Sequence, residues 1–332
     1  MPAVADLPAL LEAFFTQRLI AQRRASPHTV ASYRDTFRLL FQFAEERLKR
    51  PPSQLTLGDL NAPFLSAFLD NLESARGNQV RSRNLRLTAI RSFFRYAALE
   101  APQYSALIQR VLSMPQKRYT RRQVGFLDRA EIEALLSAVD PSTWGGRRDR
   151  ALLLTAMQTG LRLSELTGLR HQDVSLGAVA HVRCLGKGRR ERDTPLTRPT
   201  AKVLGAWIKE QGRSEAQFLF PSRSGGQMSA DAVQDLVDKH VVAAEKRCPS
   251  FARKRVSPHV LRHSAAMELM QAGVDLSMIA LWLGHSSIET TQMYLEANLA
   301  LKEETLAKTK PIDAKPGRFK PGDRLLNFLK SL

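Results

Sequence analysis

Six side chains between residues 162 and 294 of this 332-residue chain have the types needed to break a phosphodiester without a metal. Arg162 stands in Thr159-Gly160-Leu161-Arg162-Leu163-Ser164-Glu165-Leu166, and Lys187 lies between Gly186 and Gly188. His259 and Arg262 share the run Pro258-His259-Val260-Leu261-Arg262-His263. His285 closes Trp282-Leu283-Gly284-His285, and Tyr294 follows nine residues later. Arginines can neutralise an anionic phosphate and meet the extra charge of its transition state with fixed donors. Histidines and a lysine can move protons, and a tyrosine oxygen can form a covalent intermediate. A phenol ordinarily ionises at about 10, so cations beside it are required to stabilise its oxyanion. Arg162, Arg262 and Lys187 could supply them.

Each of these residues also has an ordinary use. Arg162 could pair with Glu165 or cap carbonyls at a helix end. Lys187 could be a hairpin-turn lysine, His285 a helix C-cap histidine, and Tyr294 a core residue with a polar tip. What separates the readings is the set of elements that positions them. Asp149 to Gln158 predicts a helix ending at Gly160. Before it, Asp128 and Glu131 stand at capping-box spacing and open a helix towards Val139. Alternating Val179, His181, Arg183 and Leu185, a turn at Gly186-Lys187-Gly188, and Arg190 to Leu196 predict a β-hairpin with a polar return limb. His259 and Arg262 follow Ser257-Pro258 and lie three apart, so they share a face near a helix N-terminus, where free N–H groups attract phosphate. His263 is turned roughly 100° from Arg262, which suggests packing or hydrogen bonding. Gly284 permits a sharp turn before a further helix that carries Tyr294.

The first 110 residues are helical in period. Leu7, Leu10, Leu11 and Phe14 form one stripe; Val30, Tyr33, Phe37, Leu40, Phe41 and Ala44 form a second, opened by Ser26-Pro27. Two more amphipathic segments follow, the latter with Leu85, Ile90, Phe93, Phe94 and Ala97 expected on its apolar side. The net charge is +18, and residues 1–122 hold 19 Lys/Arg against 9 Asp/Glu, so +10 of it lies in about a third of the chain. Seventeen of those 19 are arginine, whose planar fork suits phosphate and guanine edges. Such a balance selects a polyanionic partner, and no apolar run approaches the ~18 residues that span a bilayer. Arg34, Arg38, Arg81, Arg83, Arg86 and Arg91 are the expected contacts here, with Arg121, Arg122, Arg189 and Arg190 further on. A row of arginines is also what a solvated helix face looks like. Cys184 and Cys248 have no partner at metal-ligand spacing and read as reduced thiols of a cytoplasmic protein. The start, with Asp6 and no basic residue before its apolar stretch, does not resemble a secretory signal.

Taken together, the four motifs around Arg162, Lys187, His259–Arg262 and His285–Tyr294 resemble the tyrosine recombinase (phage-integrase-like) family. Ser26-Pro27-His28-Thr29-Val30-Ala31-Ser32-Tyr33 also resembles the second helix of that family's core-binding domain. The resemblance implies a mainly α fold with a small β-hairpin or sheet (α+β). It implies a helical, SAM-like core-binding domain over 1–112, a basic linker over 113–125, a catalytic domain over 126–310 and a basic tail over 311–332. It makes Arg162 and Arg262 the phosphate clamp, Lys187 the general acid to the departing 5′ oxygen and Tyr294 the nucleophile. His285 becomes a donor to the phosphate, His259 a helper with the tyrosine's proton, and Glu165 a support for the hydrogen bonding around them. The implied activity is site-specific recombination of double-stranded DNA through a 3′-phosphotyrosyl bond, with no metal or nucleotide cofactor. The implied assembly is a tetramer on two DNA sites, formed with itself or with a related recombinase. With no arm-type DNA-binding domain ahead of the helical region, the chain looks closer to Xer-like or transposon-borne recombinases than to large phage integrases. Two other functions use parts of the pattern. A type IB topoisomerase has a similar constellation but yields relaxed circles rather than a four-way junction. A non-cleaving DNA-binding module would lack at least one of the six residues.

Overall fold

The computed structural model describes residues 6–120, 124–186, 191–212, 217–285 and 287–297. Lys187, Arg189, Arg190, Arg121, Arg122 and the tail therefore lie outside the described residues. The chain divides into two units, Met1–Arg121 and Arg122–Leu332.

In the first unit α1 (Leu7–Ala13) runs straight into a π-helical stretch, Phe14–Gln22. α2 (Pro27–Leu48), α3 (Ala62–Ser74), α4 (Val80–Glu100) and α5 (Ser105–Leu112) follow. The predicted cap of α2 is present: Ser26 Oγ accepts from the Thr29 N–H at 3.2 Å, and Pro27 occupies the first turn, where its missing N–H loses nothing. Asn61 caps α3 in the same way. The interior is apolar and strongly aromatic, with Phe14, Phe37, Phe68, Phe93 and Phe94 all buried. One expected core position is wrong. Leu85 is 58 % exposed, and Leu87 is buried instead. At 100° per residue, a step of two from Leu87 lands on the opposite side of the helix, while Ile90, Phe93, Phe94 and Ala97 stay with it.

The second unit opens with α6 (Arg129–Ser137), whose capping box is complete: Asp128 Oδ1 accepts from Glu131 N and Glu131 Oε2 from Asp128 N, both at 2.9 Å. α7 (Trp144–Thr159) and α8 (Leu163–Gly168) precede a three-stranded antiparallel sheet of β1 (Val174–Ser175), β2 (His181–Leu185) and β3 (Glu191–Pro195), in that order. β2 and β3 are the predicted hairpin, while β1, only two residues long, has no pattern to read. Along β2 the buried positions are Val182 and Cys184, so Val179, Arg183 and Leu185 face outward. Helices α9 (Arg198–Gln211), α10 (Ala230–Glu245), α11 (Pro258–Gln271), α12 (Leu276–Leu283) and α13 (Glu289–Ala297) complete the described part. Leu152, Leu153, Trp207, Phe220 and Val237 anchor the main core of this unit. A separate cluster packs α11, α12 and α13 together through Met267, Ile279, Leu283 and Tyr294.

Candidate active site

Two helix ends create the site. α7 stops at Gly160 (φ +61°) and α12 at Gly284 (φ +65°), both left-handed, the conformation glycine adopts without strain. A stopped helix leaves carbonyls without partners. Arginines take them here. Arg262, on α11 and only 4 % exposed, donates from Nη1 to Gly160 O (2.5 Å) and from Nη2 to Leu283 O (2.8 Å). Arg162 donates from Nη2 to Gly284 O (2.9 Å) and from Nη1 to Glu165 Oε1 (2.9 Å). Its own N–H reaches Glu165 Oε2 at 2.8 Å. The pairing of Arg162 with Glu165 that sequence offered as an ordinary alternative is thus present inside the same cluster.

Beyond α12 the chain is fixed by a bond from His285 N back to Ala280 O (2.9 Å), a Schellman-type closure. It sets His285 against α13: Nδ1 lies 2.8 Å from Thr291 Oγ1, and the ring stacks over Tyr294 with centroids 6.5 Å apart and planes 11° apart. Tyr294 is 1 % exposed. Its hydroxyl is hydrogen-bonded at 3.0 Å to Nδ1 of His263, and His259 sits edge-on to His263 at 5.0 Å. The ring bonded to the phenol is thus that of His263, with His259 edge-on beyond it. The reason is helical. His263 is turned away from Arg262, but it lies four residues after His259 and so shares that residue's face, one turn along.

The electrostatics follow from burial among cations. Arg262 is pulled down to about 10 by burial and by Arg162, and remains charged at neutral pH. His263 is lowered to about 4, by burial and then by His259, Arg262 and His285. His285 is also lowered to about 4, by burial and then by Arg262, Arg162 and Arg192. Both imidazoles are neutral at pH 7. For Tyr294 burial raises the phenol, and the pull of Arg262 and Arg162 in the other direction does not overcome it. Of the three cations expected to assist, Arg262 and Arg162 act on the phenol, but in this arrangement the net shift is upward. Burial also raises Glu165, yet the bonds from Arg192 and Arg162 outweigh it and hold the carboxyl below its ordinary value.

Arg192, on β3, is the member that sequence reasoning missed. Its Nη2 and Nη1 reach the two Glu165 oxygens at 2.7 and 3.3 Å. The available signal was an arginine in the polar return limb of the hairpin. Lys187, at the hairpin's turn, falls outside the described residues.

The arginines expected to grip DNA divide into two sets. Arg34, Arg38 and Arg81 are exposed. Arg83 is 4 % exposed, with Nε 3.4 Å from Glu73 and Nη2 3.9 Å from Asp70, so its guanidinium belongs to the interior. Arg86 donates to Ser32 O and Thr36 Oγ1, and Arg91 to Met114 O. Asn84 holds Lys117 through both backbone groups, at 2.8 and 3.1 Å, so the first residues of the expected linker lie along α4 within the first unit.

Residues 125–300 match the model of the phage integrase family, and residues 13–101 match that of the phage integrase N-terminal SAM-like domain. The chain belongs to the phage integrase family. A Sinorhizobium fredii protein named as an integrase/recombinase is 58 % identical over 328 residues, covering 99 % of each chain. The tyrosine recombinase XerC of Pelobacter propionicus is 33 % identical, over 90 % of this chain and 94 % of that one. The fold agrees with a solved XerH site-specific recombinase in a post-cleavage complex with its difH substrate: TM-score 0.69, 21 % identity, 86 % and 81 % coverage. It agrees likewise with the Tn1549 transposon integrase, at TM-score 0.66, 17 % identity and 89 % and 98 % coverage. As a phage integrase family member the chain is a tyrosine-type site-specific DNA recombinase, mainly helical with a small antiparallel sheet. No described helix is long and apolar enough to cross a membrane.

Proposed function

We infer that Tyr294 is the nucleophile of this recombinase and that Arg162 and Arg262 hold the scissile phosphate. The observation that carries this reading is the convergence of Arg162, Arg262, His285 and Tyr294, from four separate segments, around the ends of α7 and α12. In the reaction the Tyr294 oxygen attacks phosphorus, the bond to the 5′ oxygen breaks, and a 3′-phosphotyrosyl link remains. Lys187 protonates the departing 5′ oxygen, and His263, neutral and bonded to the phenol, takes up the tyrosine's proton, with His259 beside it. His285 steadies a non-bridging oxygen. The 5′-hydroxyl of the partner duplex then attacks the phosphotyrosine and reseals the strand; the link retains the bond energy, so the chemistry itself consumes no nucleotide. Tyr294 is buried and must be brought to the phosphate before any of this begins.

The exposed Arg34, Arg38 and Arg81 suit the backbone of the duplex, and the protein acts in the cytoplasm as a tetramer on two DNA sites. An apolar groove of about 640 Å³ in the second unit supports assembly. It is lined by Ile132, Leu136, Met157, Leu269 and Trp282, and the Trp282 indole nitrogen is buried without a partner among the described residues. A segment of a second copy carrying Leu325, Leu326, Phe328 and Leu329 has the matching character. Truncation after Lys310 should spare binding to one site and weaken strand exchange; wild-type recombination by the shortened chain would remove this contact from the reading.

The decisive experiment is Tyr294→Phe on a nicked suicide duplex, analysed on a denaturing gel. The covalent adduct should vanish while site binding persists, because only the phenol oxygen is lost. An adduct that survives in the variant would place the nucleophile elsewhere.

A further inference from the structure

The strand register sends Arg192 inward. It is paired with Cys184 across the β2–β3 ladder, residues directly opposite share a face, and Cys184 is buried. The Arg192 side chain is 12 % exposed, and it meets Glu165, whose side chain is 5 % exposed. Four donors then converge on one carboxylate: Nη1 and Nη2 of Arg192, and the backbone N and Nη1 of Arg162. Gly284 makes room for this. A Cβ there would lie 2.7 Å from Arg192 Nη1 and 3.0 Å from its Cζ, and the carbonyl of the same glycine holds Arg162.

Resting on the assignment of Arg162 and Arg262 as the phosphate clamp, we propose that Arg192 is a positioning residue that shares the Glu165 carboxylate with Arg162 and so keeps Arg162 available to the phosphate. Without Arg192, each Glu165 oxygen keeps only its bond from Arg162 and has acceptor capacity left over, and a guanidinium facing such a carboxylate closes on it as a two-bonded fork. With Arg192 in place, Arg162 spends one terminal nitrogen on Glu165 and the other on Gly284 O. Three guanidiniums (Arg162, Arg192 and Arg262) against one carboxylate leave +2, which matches a phosphodiester whose charge grows towards −2 during attack. Removing Arg192 leaves +1. The fold does not by itself call for arginine at this place, since Arg192 Nε is buried without a partner among the described residues and an apolar side chain would leave no donor unmet.

The test uses the full chain and a suicide duplex bearing the site that the wild-type protein selects from a random-sequence pool. Arg192→Gln should cleave about 100-fold more slowly in a single turnover, the scale on which a transition-state donor is lost. Its affinity for the duplex should stay within about threefold, because the defect lies in the transition state rather than in binding. Adding Glu165→Gln to that variant removes the carboxylate that would capture Arg162, and should restore at least about tenfold of the rate, a coupling expected only of residues in one network. A residue that merely stabilised the fold would give no such recovery. Should Arg192→Gln fail to fold, Arg192→Lys with and without Glu165→Gln makes the same comparison. Wild-type cleavage by the single variant, or a double variant no faster than the single, overturns the proposal. Tyr294→Phe run alongside separates the two failures: if it abolishes the adduct while the Arg192 pair shows no coupling, only the role of Arg192 falls.

Discussion

The interiors of the two units are built on opposite plans. In the first, Phe14 lies among Phe15, Tyr33, Phe37, Phe93 and Tyr96, with ring centroids 5.5–6.4 Å away, and the exposed arginines stay on the surface. In the second, a sizeable part of the interior is ionic. Arg262, Glu165 and Arg192 are joined near the ends of α7 and α12, Asp149 bonds His240 at 2.9 Å, and Lys254 meets the buried Glu131 at 2.6 Å. An aromatic core contributes stability through area and ring geometry. A buried ionic network is weak evidence for stability, because desolvation offsets its attractions. The contrast therefore separates labour: damage to the aromatic interior of the first unit should be read as lost folding, and damage to the ionic cluster at the ends of α7 and α12 as lost chemistry.

The strongest way to break that comparison is Phe14→Ala. Emptying so large a buried volume should destabilise the first unit by about 3–5 kcal/mol. Residue-resolved hydrogen exchange on the full chain should show protection lost in α1, α2 and α4 and kept in α7 and α11. Equal loss in both units would mean that they do not unfold separately.

Acid should act the other way round. His263 and His285 are held at about 4 against an ordinary 6.5, so between those values the unfolded chain binds more protons than the folded one. Their contribution is complete above 6.5 and is lost as pH falls towards 4. Glu131, Asp149 and Glu165 are all lowered despite burial, by the groups that bond them, so their contribution is complete above the ordinary carboxylate range and fades below it. The sign is the same for all five. In the first unit Asp59 is the lowered carboxyl, held down against burial by Thr56 and Arg50. Exchange at pH 7 and at pH 4.5 should thus show the second unit opening first; earlier opening of the first unit would contradict the division.

The smallest effect should come from the surface. Arg34→Ala, Arg38→Ala and Arg81→Ala should each reduce the log–log salt slope of DNA binding by about 0.9 if each contacts one phosphate. Cleavage at saturating protein should be unchanged. Arg83→Ala, by contrast, should alter melting of the first unit more than the salt slope, since Arg83 is paired internally with Glu73. A slope that shifts with Arg83 and not with the exposed three would invert the surface assignment.

What was legible in the sequence was what local rules decide. The Ser26-Pro27 cap, the Asp128–Glu131 box, the stops at Gly160 and Gly284 and the existence of the hairpin each involve residues within a few positions of one another. The motifs also named Arg162, Arg262, His285 and Tyr294, which gather around the two helix ends. The misses required partners distant in sequence. Arg83 is internal because α3 supplies Asp70 and Glu73, and Arg192 matters because Glu165 lies opposite it. His263, expected to pack or hydrogen-bond, does both with Tyr294, a partner that only the packing of α13 on α11 supplies. The placing of Leu85 failed for a narrower reason, a stripe extended two residues too far along α4.

One feature of the two central arginines bears on how such an enzyme can diverge. Arg262 and Arg162 are anchored by the carbonyls of Gly160, Leu283 and Gly284, atoms of the main chain that every amino acid carries. For Arg262 the surroundings are asked to end two helices at the right places; Arg162 needs the Glu165 carboxylate as well. Mutational drift can then rewrite most of the neighbouring sequence while the two guanidiniums keep their seats. That is a physical route by which one architecture persists at 17–21 % identity, as in the solved recombinase and integrase structures it resembles.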